Sequence, residues 1–545
     1  MLMKKFIRVT IYILISIIFV LIVSVFILNK YLNTSIIDKI KTHIFESTNH
    51  EYVLTVDDLN VNLFSQSVKF TNIIIEPLQK EKSTKKHFVF KAETLKINDL
   101  SLFNYFKDRK IDISNIEFFK PEIIVYLDSG NGKKTDMELN YKKNESIVKS
   151  VLISHISIKN LKISIFKNSF DVVPIFNSNS NYLNFEKINF NLEKIKICEI
   201  VKYDKFEFSV DNFQCNIGND SLYSFKTKRL YIDYNNSTMI LDSIKVIPNY
   251  SKNDFAKKAG RQISRVEIAL SKLKISNIDY KLMLDKKMMS IHKIELIDCN
   301  LDVYRDNRLP LAKIIRPSIQ AMLKSVPFLI SIDSIEMKNS KITFEAIHPH
   351  SILTGKISVN NFEVTVTGVQ NDSCLFSENQ SVIALASGYI LNTGKFNLMY
   401  NFPLKFTKEH FSCSGSLTSM NLSTFNSIIR PVKNLQFRSG VIDYINFSFN
   451  AEDKHASGIM KFKYHDLKID VLNNVNNKIG LNQKLKSMLA NKFKLYESNP
   501  GSDGKIRISE INMNHNPYRF FLNYSMQSIT SGIESTILKV KTKHK

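Results

Sequence analysis

A chain of 545 residues with a formal charge of +24, only 15 Gly and 12 Pro, and no Gly/Ser- or Pro-rich linker reads as several domains or one continuous repetitive array. Its cysteines (Cys198, Cys215, Cys299, Cys374 and Cys413) are odd in number and never spaced C-x-x-C, which excludes a disulfide framework and a zinc site; Cys198 with Cys215 stays open as a cross-strand pair in an oxidising compartment. The lysines are scattered and alternate with apolar residues, so the charge is diffuse and nucleic acid is not an expected partner.

In chain order, residues 1–10 carry Lys4, Lys5 and Arg8, and residues 11–28 carry no charge. About 18–22 helical residues cover a hydrocarbon layer of about 30 Å. The segment 29–33 offers no small-residue cleavage site. The expectation is an uncleaved anchor at 11–28, a cytoplasmic N-terminus and an exported remainder from Asn33 onward. Within the membrane-proximal stretch 29–50, Ile36, Ile37, Ile40 and Ile44 have helical spacing and predict a short amphipathic helix over 36–45. From Tyr52 the period becomes two, beginning with Val56, Leu59, Val61, Val68 and Phe70. Strand-like segments continue over 51–471, with loops expected at 130–144 and 177–181.

One helix is expected to interrupt the strands at 311–326, with Ile314, Ile315, Ile319, Met322, Leu323 and Val326 on one face and Pro327 as its stop. The tail, 472–545, is expected to be a helical and strand cap, with helical patterns at 481–493 and 518–538. The second places Phe521, Tyr524, Ile529, Ile533 and Ile537 near one face, with Ser525, Ser528 and Gly532 breaking its apolarity. It is too polar to span a bilayer, so it caps a sheet or lies on a membrane surface; capping is the expectation.

A fourteen-residue pattern recurs in this framework. It reads ISNIEFFKPEIIVY at 113–126, ISHISIKNLKISIF at 153–166, IHKIELIDCNLDVY at 291–304 and IDSIEMKNSKITFE at 332–345. The frame is I-x-x-I-x-Φ-x-x-x-x-[IL]-x-Φ, with Φ apolar. Apolar residues two apart on each side of a polar middle predict an antiparallel hairpin with a short turn, as at Lys338 to Lys341. Equivalent pairs (Ile116/Phe118, Ile156/Ile158, Ile294/Leu296, Ile335/Met337) are then expected to face one side of a sheet.

No chemistry assembles. G-x-S-x-G, H-E-x-x-H, G-x-x-x-x-G-K and G-x-G-x-x-G are all absent. The S-x-x-K at Ser164 to Lys167 falls in a strand, where its serine and lysine face opposite ways, and His348 with His350 lacks a third ligand nearby. No catalytic residue, metal or cofactor is expected. What the chain offers is apolar strand surface that needs cover, and an open apolar groove is unfavourable in water unless it binds something greasy. Acyl chains fit, at about 0.8 kcal/mol for each CH₂ removed from water. The candidate groove residues are the second-arm positions of the four motifs: Ile123, Val125, Ile163, Ile165, Leu301, Val303, Ile342 and Phe344.

These stretches together resemble the AsmA-like family of Gram-negative envelope proteins, in a form similar to those of Bacteroidota. The resemblance rests on the single N-terminal anchor, on VDDLNVNLFSQSVKFTNIIIEP at 56–77, on VPFLISIDSIEMKNSKITFE at 326–345, and on SGVIDY at 439–444 leading to GIMKFKYHDLKID at 458–470. It covers nearly the whole chain and implies a fold that is mainly β: an N-terminal transmembrane helix followed by a long, repetitive antiparallel β-sheet forming an open groove, with a few amphipathic helices. It is similar to bridge-like lipid-transfer proteins. It implies a single-pass inner-membrane protein with its bulk in the periplasm, handling or transferring phospholipid toward the outer membrane and supporting outer-membrane integrity. The expected partners are phospholipid or another acyl-chain ligand, the inner membrane, and outer-membrane or periplasmic proteins. The alternative is a non-enzymatic scaffold or tether for outer-membrane protein assembly, with a filled core. An anchored hydrolase with an unrecognised site is the reading from another class; it requires a polar cleft of clustered titratable groups.

Overall fold

The computed structural model describes residues 34–539 apart from 49, 63–65, 79–86, 102–107, 128–148, 169, 173, 192–200, 203, 218–221, 286–287, 312, 350–352, 373–379, 407, 473–485 and 487–494. The chain is mainly β and divides into two compact units, Met1–Asn216 with Lys226–Met239, and Ile217–Phe225 with Ile240–Lys545. The expected anchor at 11–28, the loop at 130–144 and nearly all of the helical pattern at 481–493 lie outside the described residues. Among the described residues no helix is long and apolar enough to cross a membrane. Cys215, Cys299 and Cys413 are free thiols, and Cys198 lies outside the described residues.

The first unit opens with helix α1 (Thr34–Ser47), then strands β1 (Tyr52–Thr55), β2 (Asp58–Asn62), β3 (Ser67–Pro77), β4 (His87–Ser101), β5 (Lys110–Phe119), β6 (Glu122–Tyr126), β7 (Ser150–Phe166), β8 (Phe176–Asn191), β9 (Val201–Lys202) and β10 (Lys205–Ile217). Strands β11 (Tyr223–Asp233) and β12 (Thr238–Pro248) contain residues of both units. In the second come α2 (Lys252–Lys258), β13 (Ser264–Ile278), α3 (Tyr280–Asp285), β14 (Met288–Asp306), α4 (Ile319–Lys324), β15 (Leu329–Ile347), β16 (Thr354–Gln370), β17 (Ser381–Ile390), β18 (Gly394–Pro403), β19 (Phe411–Leu417) and β20 (Met420–Asn421). It continues with α5 (Asn426–Lys433), β21 (Leu435–Ala451), β22 (His455–Val471), β23 (Ile508–Asn514) and α6 (Phe521–Ile537). Helix α1 contains the expected helix at 36–45; β22 ends at Val471, the expected boundary of the long strand array, and one further strand, β23, follows in the tail.

The repeated motif is not a hairpin. IDSIEMKNSKITFE lies inside the single nineteen-residue strand β15, and its copy at 291–304 lies inside β14. The eighth motif residue turns the side-chain phase instead of the chain. Lys120, Asn160, Asp298 and Asn339 occupy that position, and all four adopt positive φ, between 47° and 56°. A left-handed residue in a strand inserts a bulge and reverses which face the following side chains point to. That reversal explains the odd spacing of five between the sixth and eleventh motif positions. The spacing of three between the first and fourth has a matching cause on the neighbouring strand. Opposite the second motif residue stand Asp99, Lys187, Asn277 and Gly368 in the antiparallel partners, each with positive φ.

Copies of the motif pair with each other in parallel, position for position. Ile113 stands beside Ile153, Ile116 beside Ile156 and Phe118 beside Ile158, across β5 and β7. Ile291 stands beside Ile332, Ile294 beside Ile335 and Leu296 beside Met337, across β14 and β15. Within each unit the expected pairs therefore share one side. These strands, like β6 and β7, are parallel where an antiparallel sheet was expected; the remaining pairings among the described strands, such as β3–β4 and β15–β16, are antiparallel.

Parallel neighbours need a crossover the length of a strand, and this overturns the helix expected at 311–326. Residues 307–328 run from the end of β14 back to the start of β15. At about 3.3 Å per residue, nineteen-residue strands put those points roughly 60 Å apart. A helix over 311–326 rises only about 24 Å, and the few remaining residues add about 20–25 Å at full extension. Pro317 also removes a hydrogen bond from the middle of that helix. What forms is the six-residue α4, capped where the Ser318 hydroxyl accepts from the Ala321 N–H. The loop expected at 177–181 is likewise part of strand β8. Its Asn181 is buried and its Nδ2 donates at 2.6 Å to the Leu161 carbonyl beside the Asn160 bulge, so polar side chains there serve bulge carbonyls, not a turn.

Each unit has its own core. In the first, Ile111, Ile113, Ile116, Ile153 and Ile156 are at most 1% exposed and join Ile40 and Ile44 of α1 in one cluster. The second unit's largest cluster collects β18 to β23 under α6, whose Phe521, Tyr524, Ile529, Ile533 and Ile537 belong to it, as expected for a cap. The serines that interrupt this helix are its contact surface: Ser525 and Ser528 are fully buried and Gly532 faces Ile511 and Met460. Small residues let the helix approach the sheet closely. Near the helix start, Tyr524 Oη donates to the Glu452 carbonyl, and Glu409 is buried close to Asp453.

Two outcomes test this account. Asn160 is exposed and in the left-handed region, so Asn160→Val should destabilise the first unit by about 1–2 kcal/mol in denaturant unfolding, while Asn160→Gly stays within about 1 kcal/mol of wild type. Equal losses for the two would show that the bulge does not depend on left-handed backbone. Burial, and then the Asp453 charge, push Glu409 up from an ordinary 4.5 to about 7. The folded state then holds a proton the unfolded state has released, so this contribution is intact below pH 4.5 and is lost as pH rises toward 7. Melting temperature against pH should fall across that window, and Glu409→Gln should flatten the fall.

Candidate functional site

The candidate face is the apolar side of β13 to β16 in the second unit, and register assembles it rung by rung. Val266, Val303, Phe344 and Ile357 stand side by side across the four strands, and Ile268, Leu301, Ile342 and Val359 form the next rung. Past the bulge come Leu273, Leu296, Met337 and Val364, then Ile275, Ile294, Ile335 and Val366. The bulges fall at the same level in β14 and β15, where the Asn339 side chain donates to Asp298 at 2.6 Å. The parallel register therefore carries through the phase reversal, and the apolar rows continue unbroken past it. At the bulge level Cys299 and Ser340 face inward and are buried, and the Ser340 hydroxyl accepts from the Cys299 N–H.

The opposite face is charged. Lys293 bridges Glu295 at 3.2 Å and Glu336 at 3.0 Å, and Lys338 sits 2.8 Å from Glu336. Hydrogen bonds from Lys338 and Lys293 hold the Glu336 carboxyl below its ordinary range, and Glu336 and Glu295 raise the Lys293 ammonium. One side is thus built for water and the other for apolar contact.

The eight candidate residues are brought together in pairs: Ile123 with Ile163, Val125 with Ile165, Leu301 with Ile342, and Val303 with Phe344. Their surroundings differ between the units. Ile123 and Val125 are buried in the filled core of the first unit, with Ile163 and Ile165 packed against it. Leu301, Val303, Ile342 and Phe344 are all half-buried, as are Ile294, Leu296, Ile335 and Met337. The same motif positions in the first unit, Ile116 and Ile156, are 1% exposed.

Helix α4 reaches one end of this face, where Ile319 and Leu323 belong to the cluster that includes Ile332, Ile335 and Val366. At the other end Phe344 lines a cleft of about 570 Å³ walled by Leu309, Leu311, Ile428 and Val432. Helix α5 reaches the sheet there because Gly355 has no side chain: a Cβ would lie 2.8 Å from Ile428 Cδ1. Sequence reading missed this cleft, because Arg305, Arg519 and Gln262 meet only through strand register and the return of α6. The period-two alternation marks 356–368 as a strand, but the candidate groove residues came from the motif alone and so left out Val266, Ile268, Ile357 and Val359 of β13 and β16. Among the described residues no group of three or more His, Cys, Asp or Glu side chains could hold a metal ion, and His350 lies outside those residues.

No protein-family model matches this chain, and no curated protein matches it.

The contrast between the units gives a direct test. Ile156→Asp places an unpaired carboxylate in the filled core of the first unit and should cost several kcal/mol, enough to unfold it. Val303→Asp and Phe344→Asp, on a half-buried face, should each lower the melting temperature far less. Comparable collapse in all three variants would mean that the second unit's face is closed.

Proposed function

We propose that this chain is a non-catalytic lipid-handling protein that holds phospholipid acyl chains along the apolar face of its second unit. The observation that carries this reading is the half-burial of that face: Leu301, Val303, Ile342 and Phe344 stay in contact with solvent, although Ile116, Ile123, Val125 and Ile156 of the same motif are buried in the first unit. Water beside contiguous apolar side chains is unfavourable, and an acyl chain relieves it at about 0.8 kcal/mol per CH₂ buried. In this reading the apolar segment 11–28 anchors the protein in the inner membrane, the bulk lies in the periplasm, and the lipid moves toward the outer membrane, as the resemblance to AsmA-like proteins implies. The filled core of the first unit favours the scaffold reading for that unit alone, so the lipid reading is confined to the second.

A photoreactive amino acid at Val303 or Phe344 of the full chain, irradiated in cells, should yield phospholipid adducts detectable by mass spectrometry. The same residue at Ile156 should yield none. Absence of adducts at both Val303 and Phe344, from a wild type that copurifies without lipid, would defeat the lipid reading and leave the scaffold.

A further inference from the structure

The apolar face ends on a cation. Arg305 follows Val303 on the same side of β14, between Ser264 and Ala346 of the flanking strands. It lines the cleft into which Phe344 also faces. Its guanidinium donates to the Ser264 hydroxyl, at 3.1 Å from Nε and 2.8 Å from the terminal nitrogen, and to no carboxylate among the described residues. Arg519 lines the same cleft just before α6, and Arg316 stacks at 4.9 Å on Phe520, the N-cap of that helix. The Arg316 N–H donates to the Pro517 carbonyl, which ties the crossover to the start of α6 and holds the arginines together. Among the described residues none of the three has an acidic partner. Burial lowers the pKa of Arg305, and the neighbouring Arg519 and Arg316 charges lower it further; Arg519 is lowered by burial and then by Arg316. The cluster is thus a partly desolvated, self-repelling positive site that an anion would relieve.

A second, independent observation adds a donor requirement. Gln262 is 6% exposed and lines the cleft. Its Nε2 donates to Asn307 Oδ1 at 2.9 Å, which leaves Oε1 buried with no partner. An unpartnered buried acceptor costs free energy that a ligand O–H or N–H recovers. The first turn of α6 adds no acidic residue and no side-chain cap beside the site.

We infer that the cleft seats the phosphate of an anionic phospholipid whose head group also carries a hydrogen-bond donor, with an acyl chain running along Val303 and Phe344. This rests on the lipid reading proposed above. Arg305 and Arg519 grip the phosphate oxygens with the Arg316 charge nearby, a head-group hydroxyl donates to Gln262, and the apolar rungs take the chain. A fatty acid ionised at its carboxylate lacks the donor, and a zwitterionic choline head group carries neither net negative charge nor a donor.

The test uses the purified full chain in detergent micelles, offered vesicles of phosphatidylglycerol or of phosphatidylcholine with the same acyl chains. Bound lipid is counted by mass spectrometry. Wild type should retain phosphatidylglycerol over phosphatidylcholine by about tenfold, the worth of one charge-assisted hydrogen bond. R305Q and R519Q should each remove most of that preference, while the exposed K341Q keeps it. Without lipid, R519Q should melt no lower than wild type, because it relieves repulsion. A wild type that retains neither lipid defeats the reading on which the seat depends. Retention without preference, a preference that survives the R305Q/R519Q pair, or an equal loss in K341Q overturns the seat alone. Thermal stabilisation by glycerol 3-phosphate equal to that by phosphatidylglycerol overturns it too, in favour of a soluble phosphate.

Discussion

Everything in the β framework depends on where the strands place a left-handed residue. Without positive φ at Asp298 and Asn339, the side chains beyond them would point into water and those before them into the core. A strand of nineteen residues would then bury lysine over half its length. With the bulge in place, a single strand keeps one apolar side from end to end. Because β14 and β15 bulge at the same level, neither loses its register with the other. The polar residue that permits the bulge also marks it, since Asn and Asp tolerate left-handed backbone better than branched residues do.

The same construction gives two different results. In the first unit the motif rows meet α1 and the turned-in strands β1 to β4, and the apolar side closes on itself. In the second, β13 to β16 present equivalent rows, but the crossover that passes from β14 to β15 contributes a helix of only six residues. It had to remain extended to reach the far end of the strand. The openness of that face and the shortness of α4 are therefore one geometric fact: chain spent on reach is not available for cover.

Much of this was legible in the sequence. The period of two, the amphipathic α1 and the capping role of α6 all follow from local patterns, because each depends on residues a few positions apart. The repeat was visible, yet its meaning was inverted. A polar middle such as Lys338 to Lys341 has turn composition whether it reverses the chain or only its phase, and a single left-handed residue leaves no other trace. Parallel pairing was hidden for the same reason, since identical motifs match in either direction on paper. Pro317 carried the information that the helix at 311–326 fails, and the apolar spacing around it outweighed that signal. The arginine cluster draws on β14, the crossover and the start of α6, and no local window contains it.

The offset between the paired copies in the second unit has a kinetic side. Cys299 meets Ser340, and Asp298 meets Asn339, across a separation of 41 residues. Strand β14 must therefore wait, edge unpaired, until the ribosome has delivered the crossover and then β15. Loop-closure entropy grows slowly with length, so the delay costs little at equilibrium. During synthesis it is long, because parallel pairing is non-local and such contacts form late. A nascent chain in that interval displays a long edge whose apolar row matches other copies of the same motif, and nothing in the pattern distinguishes the correct copy from one on a neighbouring molecule. The repetition that lets the finished sheet align so simply makes the growing chain a template for its own mispairing.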